Sequence, residues 1–113
     1  MKILNITKDC ILADRVFLAD SFLARIKGLL GFKSLDVGQA MIIRPCNSVH
    51  TFFMHFPIDV LFVDKNNRVA KIIKRMKPFR VSLMCTRSKS VIELPAGIIN
   101  SSNTSTGDML EIQ

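Results

Sequence analysis

Two apolar runs, Ile58 to Val63 (IDVLFV) and Val69 to Ile73 (VAKII), flank Asp64-Lys65-Asn66-Asn67, and no other stretch limits the possible folds so strongly. Asn and Asp are turn residues that tolerate the backbone a tight reversal needs, so the segment predicts a β-hairpin with Asn66-Asn67 at its tip. The second run does not alternate strictly, which predicts a bulge in it. The first run is nearly continuous in apolar residues, the pattern of a strand covered on both faces. A chain of 113 residues fits one domain spanning 1 to 113, and at that size roughly two thirds of the unfolded surface can be buried. Material on both faces of one strand therefore means a layered, β-rich molecule.

The remaining chain divides into short segments. Residues 2 to 6 and 9 to 17 read as strands forming a hairpin or neighbouring edge strands. Asp20 or Ser21 caps a helix near residues 21–30, whose Phe22, Leu23, Ile26, Leu29 and Leu30 recur with helical period and predict an apolar face laid on a sheet. Gly31 suits the helix end, and Gly28 marks either close packing or an earlier end. Ala40 to Arg44 is a buried strand stopped by Pro45, and Val49 to Phe56 reads as another. Phe79 to Cys85 is undecided between strand and helical turn. Ser90 to Leu94 is a strand closed by Pro95-Ala96-Gly97, Asn100 to Thr106 is a polar loop, and Met109 to Ile112 is the last strand. The expected class is mainly β (α+β): a compact small bent sheet or barrel of about seven or eight strands, plugged by one helix.

Composition sets the functional frame. Three cysteines with no CxxC spacing suggest reduced thiols, and no signal peptide or bilayer-length apolar run is visible, so a cytoplasmic protein without membrane contact is expected. The net charge of +7 is uneven: residues 65 to 92 hold nine Lys or Arg and no acid. Such a field attracts nucleic acid or small anions, although charge runs are most often only solvated surface. Only Phe79 lies among those cations in sequence, which is thin for a stacking platform. No zinc motif, phosphate loop or nucleophile elbow is present, so neither a metal nor a cofactor is expected.

Chemistry-bearing residues gather between Arg44 and Asp64 (RPCNSVHTFFMHFPIDVLFVD), which holds both histidines and four of the eight phenylalanines. In a regular strand His50, Phe52, Met54 and Phe56 face one way and Thr51, Phe53 and His55 the other, separating the two histidines. Cys46, His50 and Met54 form a soft-donor trio suited to Cu(I), set against plain core packing. Cys46 with His50 and Asp59 forms a possible nucleophile, base and orienting acid. Asp59, flanked by Ile58 and Val60, needs a partner, and backbone N–H groups, His50 or Arg44 are candidates; Glu93 between Ile92 and Leu94 poses the same question. Arg80 is placed to pair with an acid or clamp an anion.

The ordered set Gly28-Leu29-Leu30-Gly31, Ser34-Leu35, Met41, Arg44-Pro45-Cys46, His50-Thr51-Phe52-Phe53-Met54, Phe56-Pro57-Ile58-Asp59, Phe62, Val69, Pro78-Phe79-Arg80, Glu93-Leu94-Pro95-Ala96-Gly97 and Gly107-Asp108 resembles the domain-of-unknown-function family numbered one hundred and ninety-two. The resemblance spans about residues 22–112. It implies a compact β-rich domain, cytoplasmic or exported, with no biochemical activity attached. Phe32 stands where the family usually has Arg, and Phe79 where it usually has Trp. The function expected is that of a binding or accessory domain with a pocket around Arg44, Cys46, His50, Thr51, Asp59 and Arg80 for a small anionic ligand or a peptide. A Cys46/His50 enzyme and a nucleic-acid binder using the basic segment 65–89 are the alternatives.

Overall fold

The computed structural model describes residues 1–113 as eight strands in two sheets with two short helices. The small sheet has the order β2-β1-β8, from β1 (Ile3–Asn5), β2 (Cys10–Ala13) and β8 (Leu110–Ile112). The large sheet has the order β3-β4-β7-β5-β6, from β3 (Arg15–Ala19), β4 (Gln39–Ile43), β5 (Ile58–Val63), β6 (Val69–Met76) and β7 (Ser90–Pro95). Only β3 and β4 run parallel. The sheets do not close into a barrel.

The hairpin forms as its turn chemistry dictates. Asp64 Oδ1 accepts from the N–H groups of Asn66 and Arg68, and Asn67 takes a left-handed φ of 61° at the reversal. Between Ile58 and Val60 the pairing slips, so that three steps on β6 oppose two on β5, and Arg75 sits in this bulge at φ 51°. All six residues of β5 are buried. Leu61 and Val63 join Ile42, Ile92, Leu94 and Ile3 in one core, while Ile58, Val60 and Phe62 join Met41, Ile43 and Val91 in a second. The large sheet is thus a middle layer. The small sheet covers one face, and on the other the covering residues are Leu29, Leu35, Val49 and Met54, from the chain around residues 28–56.

Several expectations are corrected. The segment 9 to 17 is broken at Asp14 into β2 and β3, which belong to different sheets. The helix α1 (Phe22–Lys27) is capped by the Ser21 hydroxyl, which accepts from Ala24 N–H at 3.1 Å, and ends at Gly28 with φ 46°. Six residues are too few to lie across a sheet: none of α1 is buried, Phe22, Leu23 and Ile26 stay in solvent, and the helix plugs nothing. Its turn unwinds so that Leu29 alone enters the core fully.

Val49 to Phe56 is not a strand. Only His50 pairs, with Val81, and Phe53 turns the chain with φ 64°, so the alternation that would have separated its side chains does not apply. Nor is Ile98 to Ser102 all loop: it forms α2 (Ile98–Ser102), whose cap residue Gly97 has no side chain to offer. The capping acceptor comes from Asp59 on β5 instead, through Oδ2 at 3.1 Å from Gly97 N and 2.8 Å from Ile99 N.

Candidate functional site

The second core is incomplete at one point. A cavity of about 220 Å³ opens between α1, the turn that follows it, the segment from Pro45 to Met54 and β7. Gly28, Ile43, Val49 and Met54 contribute to its wall, with Phe22 and Ile26 from the exposed face of α1 and Cys46, His50, Arg25 and Glu93 as its polar groups. The apolar stripe of α1 therefore walls the cavity instead of packing on a sheet.

Glu93 reaches this place by strand alternation. On β7, Ile92 and Leu94 point to the first core, which leaves Val91 and Glu93 on the cavity face. Glu93 pairs with Met41 on one side and Val60 on the other, in the middle of the sheet, and only 3% of it is exposed. No side chain or backbone group hydrogen-bonds its carboxyl, and no cation lies within salt-bridge distance; burial alone pushes its pKa up to about 8. Glu93 is accordingly protonated at neutral pH and presents an O–H donor.

Arg25 enters from α1. One guanidinium nitrogen donates to the Pro45 carbonyl at 3.2 Å, while its Nε is buried with no partner. Gly28, whose φ of 46° suits glycine, ends α1 beside the carboxyl: a Cβ there would make ordinary van der Waals contact, 3.9 Å from Glu93 Oε1 and 3.7 Å from Ile43 Cδ1.

Cys46 is held by its backbone, its N–H donating to Lys89 O at 3.1 Å and its carbonyl accepting from Ser88 Oγ at 2.9 Å. Its thiol donates to Ser48 O at 3.0 Å. Burial pushes the thiol pKa up and outweighs the Ser48 hydrogen bond, which lowers it; the neighbouring Glu93 adds a smaller rise and the Arg25 charge a smaller fall. This is the reverse of the environment that activates a cysteine nucleophile. His50 is exposed at the rim, its ring stacked on Phe52 at 5.4 Å. Cys46, His50 and Met54 line one cavity.

Of the six residues nominated from sequence, the cavity brings together Cys46 and His50 only. Arg44 is exposed at the end of β4 and donates its backbone N–H to Ala19 O. Thr51 is fully buried, and its hydroxyl donates to Lys77 O and accepts from Arg80 N–H at 3.0 Å. Asp59 spends both oxygens on backbone N–H groups, Arg75 at 2.8 Å on one and Gly97 and Ile99 on the other, so the backbone alternative among its candidate partners is the one realised. Arg80 lines a separate, shallower groove. Arg25 was missed. Its signal was present, because Phe22, Arg25, Ile26 and Leu29 fall at i, i+3, i+4 and i+7, which places a cation inside the apolar stripe.

The family model described as Uncharacterized ACR, domain-of-unknown-function family 192, matches residues 3–112. A UPF0127 protein of Pyrococcus horikoshii is 34% identical over 113 aligned positions, which cover 96% of this chain and 96% of the relative. Another from Thermococcus sibiricus is 33% identical, covering 96% of this chain and 73% of its own. Among solved structures, a protein of unknown function from Novosphingobium aromaticivorans superposes with a TM-score of 0.85 at 20% identity, over 98% of this chain and 82% of that one. One from Sinorhizobium meliloti, described as a putative transcription regulator, gives 0.80 at 21% identity, over 97% and 89%. At those identities the structures establish a shared fold. With the family model spanning nearly the whole sequence, the chain belongs to this uncharacterised family, domain-of-unknown-function family 192.

Proposed function

We propose that this domain is a small cytoplasmic binding or accessory module whose cavity takes a small anionic ligand, a carboxylate on an apolar body, free or at the end of a peptide. One observation carries the reading: Arg25 Nε is buried without a partner, the Glu93 carboxyl, in a residue only 3% exposed, accepts no hydrogen bond, and both residues border one apolar cavity. Buried polar groups are nearly always hydrogen-bonded, and an exception points to a partner that arrives from outside. A carboxylate answers both groups, accepting a charge-assisted bond from the guanidinium and an O–H bond from protonated Glu93. Phe22, Ile26, Val49 and Met54 take the apolar part. The volume is below the roughly 300 Å³ at which pockets for drug-sized ligands begin, so the ligand is small. A thiol held protonated supports binding over nucleophilic chemistry at Cys46, and three unbridged thiols suit a reducing compartment.

Titration with hexanoate, followed by amide chemical shifts, tests this. Shifts should centre on Gly28, Ser48 and Val49, with hexylamine producing none. Affinity should fall as pH rises through about 8, where Glu93 loses its proton. Glu93→Gln keeps a donor that does not titrate, so it should bind hexanoate with no such fall, while Arg25→Met should bind at least tenfold more weakly, the order expected for one charge-assisted hydrogen bond. Equal binding of the amine, or no response to hexanoate, sinks the proposal.

A further inference from the structure

A second face, sharing only the rim residue His50 with the cavity, carries exposed phenylalanines. Phe53 and Phe79 are 74% and 55% exposed, and both adopt left-handed backbone, at φ 64° and 61°. Bulky residues are outliers in that region, and they persist there only where surrounding contacts over-determine the backbone. Thr51 supplies those contacts. Besides the two hydroxyl bonds, its N–H donates to Arg80 O and its carbonyl accepts from Phe79 N–H, each at 2.9 Å. Two loops distant in sequence are locked together at one buried threonine, and the lock turns their phenylalanines outward.

The rings form a continuous set. Phe79 lies 5.8 Å from Phe53 and 6.5 Å from Phe52, which stacks in turn on His50. Next to Phe79 in the chain, Arg80 lines a groove of about 390 Å³ together with Lys74, Arg75 and Lys77, and no acidic residue lines it. None of the four cations has a carboxylate partner, since the ion pairs in the molecule involve Lys8 and Arg15.

We propose that this face binds single-stranded nucleic acid, with phosphates along the Lys74, Arg75, Lys77 and Arg80 groove and bases stacked on Phe53, Phe79 and Phe52. A cationic groove that tracks a backbone beside exposed ring faces is the recognition mode of unpaired strands, whose bases are free to stack. An anionic bilayer would feel the same charges. However, the aromatic residues that favour a membrane interface are Trp and Tyr, and this chain has neither. A groove also follows a linear chain of phosphates better than it meets a plane.

Fluorescence anisotropy with labelled oligo-dT and oligo-rU of about a dozen nucleotides tests the proposal. Binding should weaken with salt at a log–log slope of up to about 3, near 0.7 for each of the cations engaged. Replacing Lys74, Lys77 and Arg80 by Ala should reduce that slope to below about 1. Asn tolerates left-handed backbone, so Phe53→Asn with Phe79→Asn should fold, keep the slope and bind about tenfold or more weakly. Phe53→Leu, which removes only the ring, should weaken binding in the same direction and serves should the double variant melt early. The proposal is overturned by no binding at low salt, by unchanged affinity in the ring variants, or by equal affinity for a duplex of the same length. It is overturned equally if phosphatidylserine vesicles bind with this dependence on Phe53 and Phe79 while the oligonucleotides do not.

Discussion

Glu93 stores a pH-dependent cost in the middle of the sheet. The folded molecule retains a proton on it up to about pH 8, from an ordinary value of 4.5, because burial penalises the charged form. The unfolded chain releases that proton in the ordinary glutamate range. A raised folded value means that the contribution to stability is complete below the ordinary range, declines as pH rises, and is gone once pH passes about 8. Over that window the decline should be on the order of 5 kcal/mol. Urea unfolding of the native chain should show it as a falling midpoint, while Glu93→Gln, neutral throughout, should lack the slope even if its absolute stability differs. Parallel slopes in the two proteins would mean that Glu93 is ionised in the folded state. Arg25 and Glu93 were hard to find from sequence for different reasons. Alternation places Glu93 inside but is silent on whether a partner meets it there, and Arg25 hides as one cation in an otherwise ordinary amphipathic stripe.

Asp59 shows how one side chain can set two elements. Oδ1 holds the Arg75 amide in the β5–β6 bulge, and Oδ2 holds the first N–H groups of α2, so the bulge and the helix are referred to the same point on β5. Helix N-termini leave their first N–H groups without intrahelical partners, and a five-residue helix with glycine at its cap has no local means to satisfy them. Asp59→Ala should therefore destabilise the fold by roughly 3 kcal/mol or more, since buried N–H donors are left unpaired. Amide exchange is the sharper reading: protection should be lost at Gly97, Ile99 and Arg75 together. Loss confined to α2 would show that the bulge stands without the carboxylate. The same dependence explains why α2 was read as part of a polar loop, for the residues that make it a helix are not within it. In α1, by contrast, Ser21 provides the cap from the adjacent position, and this start was legible from the local sequence.

In the whole molecule, the ends of the chain are tied by a polar network at the margin of the small sheet. Asn5 donates to Thr104 Oγ1 and Asp108 Oδ2, each at 3.0 Å, and the Lys8 ammonium lies 3.0 Å from the Asp108 carboxylate. Burial alone would raise the pKa of Asp108, but the hydrogen bonds from Asn5, Ser105 and Lys8, with the charge of Lys8, outweigh it and hold the value below the ordinary aspartate range. A lowered value contributes stability above that range, which is lost as pH falls through the folded pKa. Asp108→Asn should consequently be less stable at neutral pH, and its deficit should shrink in acid as the native carboxyl is protonated. A deficit constant with pH, followed by circular dichroism during acid titration, would remove Asp108 from the acid limb. The hairpin at Asn66-Asn67, the doubly covered β5, the capped start of α1 and the β-rich class were all determined by the sequence alone, because turn chemistry, apolar continuity and capping act between neighbours. Tertiary structure decided the rest. It denied Val49 to Phe56 a strand because Thr51 bonds to residues 77–80 and Phe53 must then turn; it formed α2 on a distant carboxylate; and it joined Arg25 to Glu93 and Phe53 to Phe79, pairs whose meeting depends on contacts no local pattern encodes.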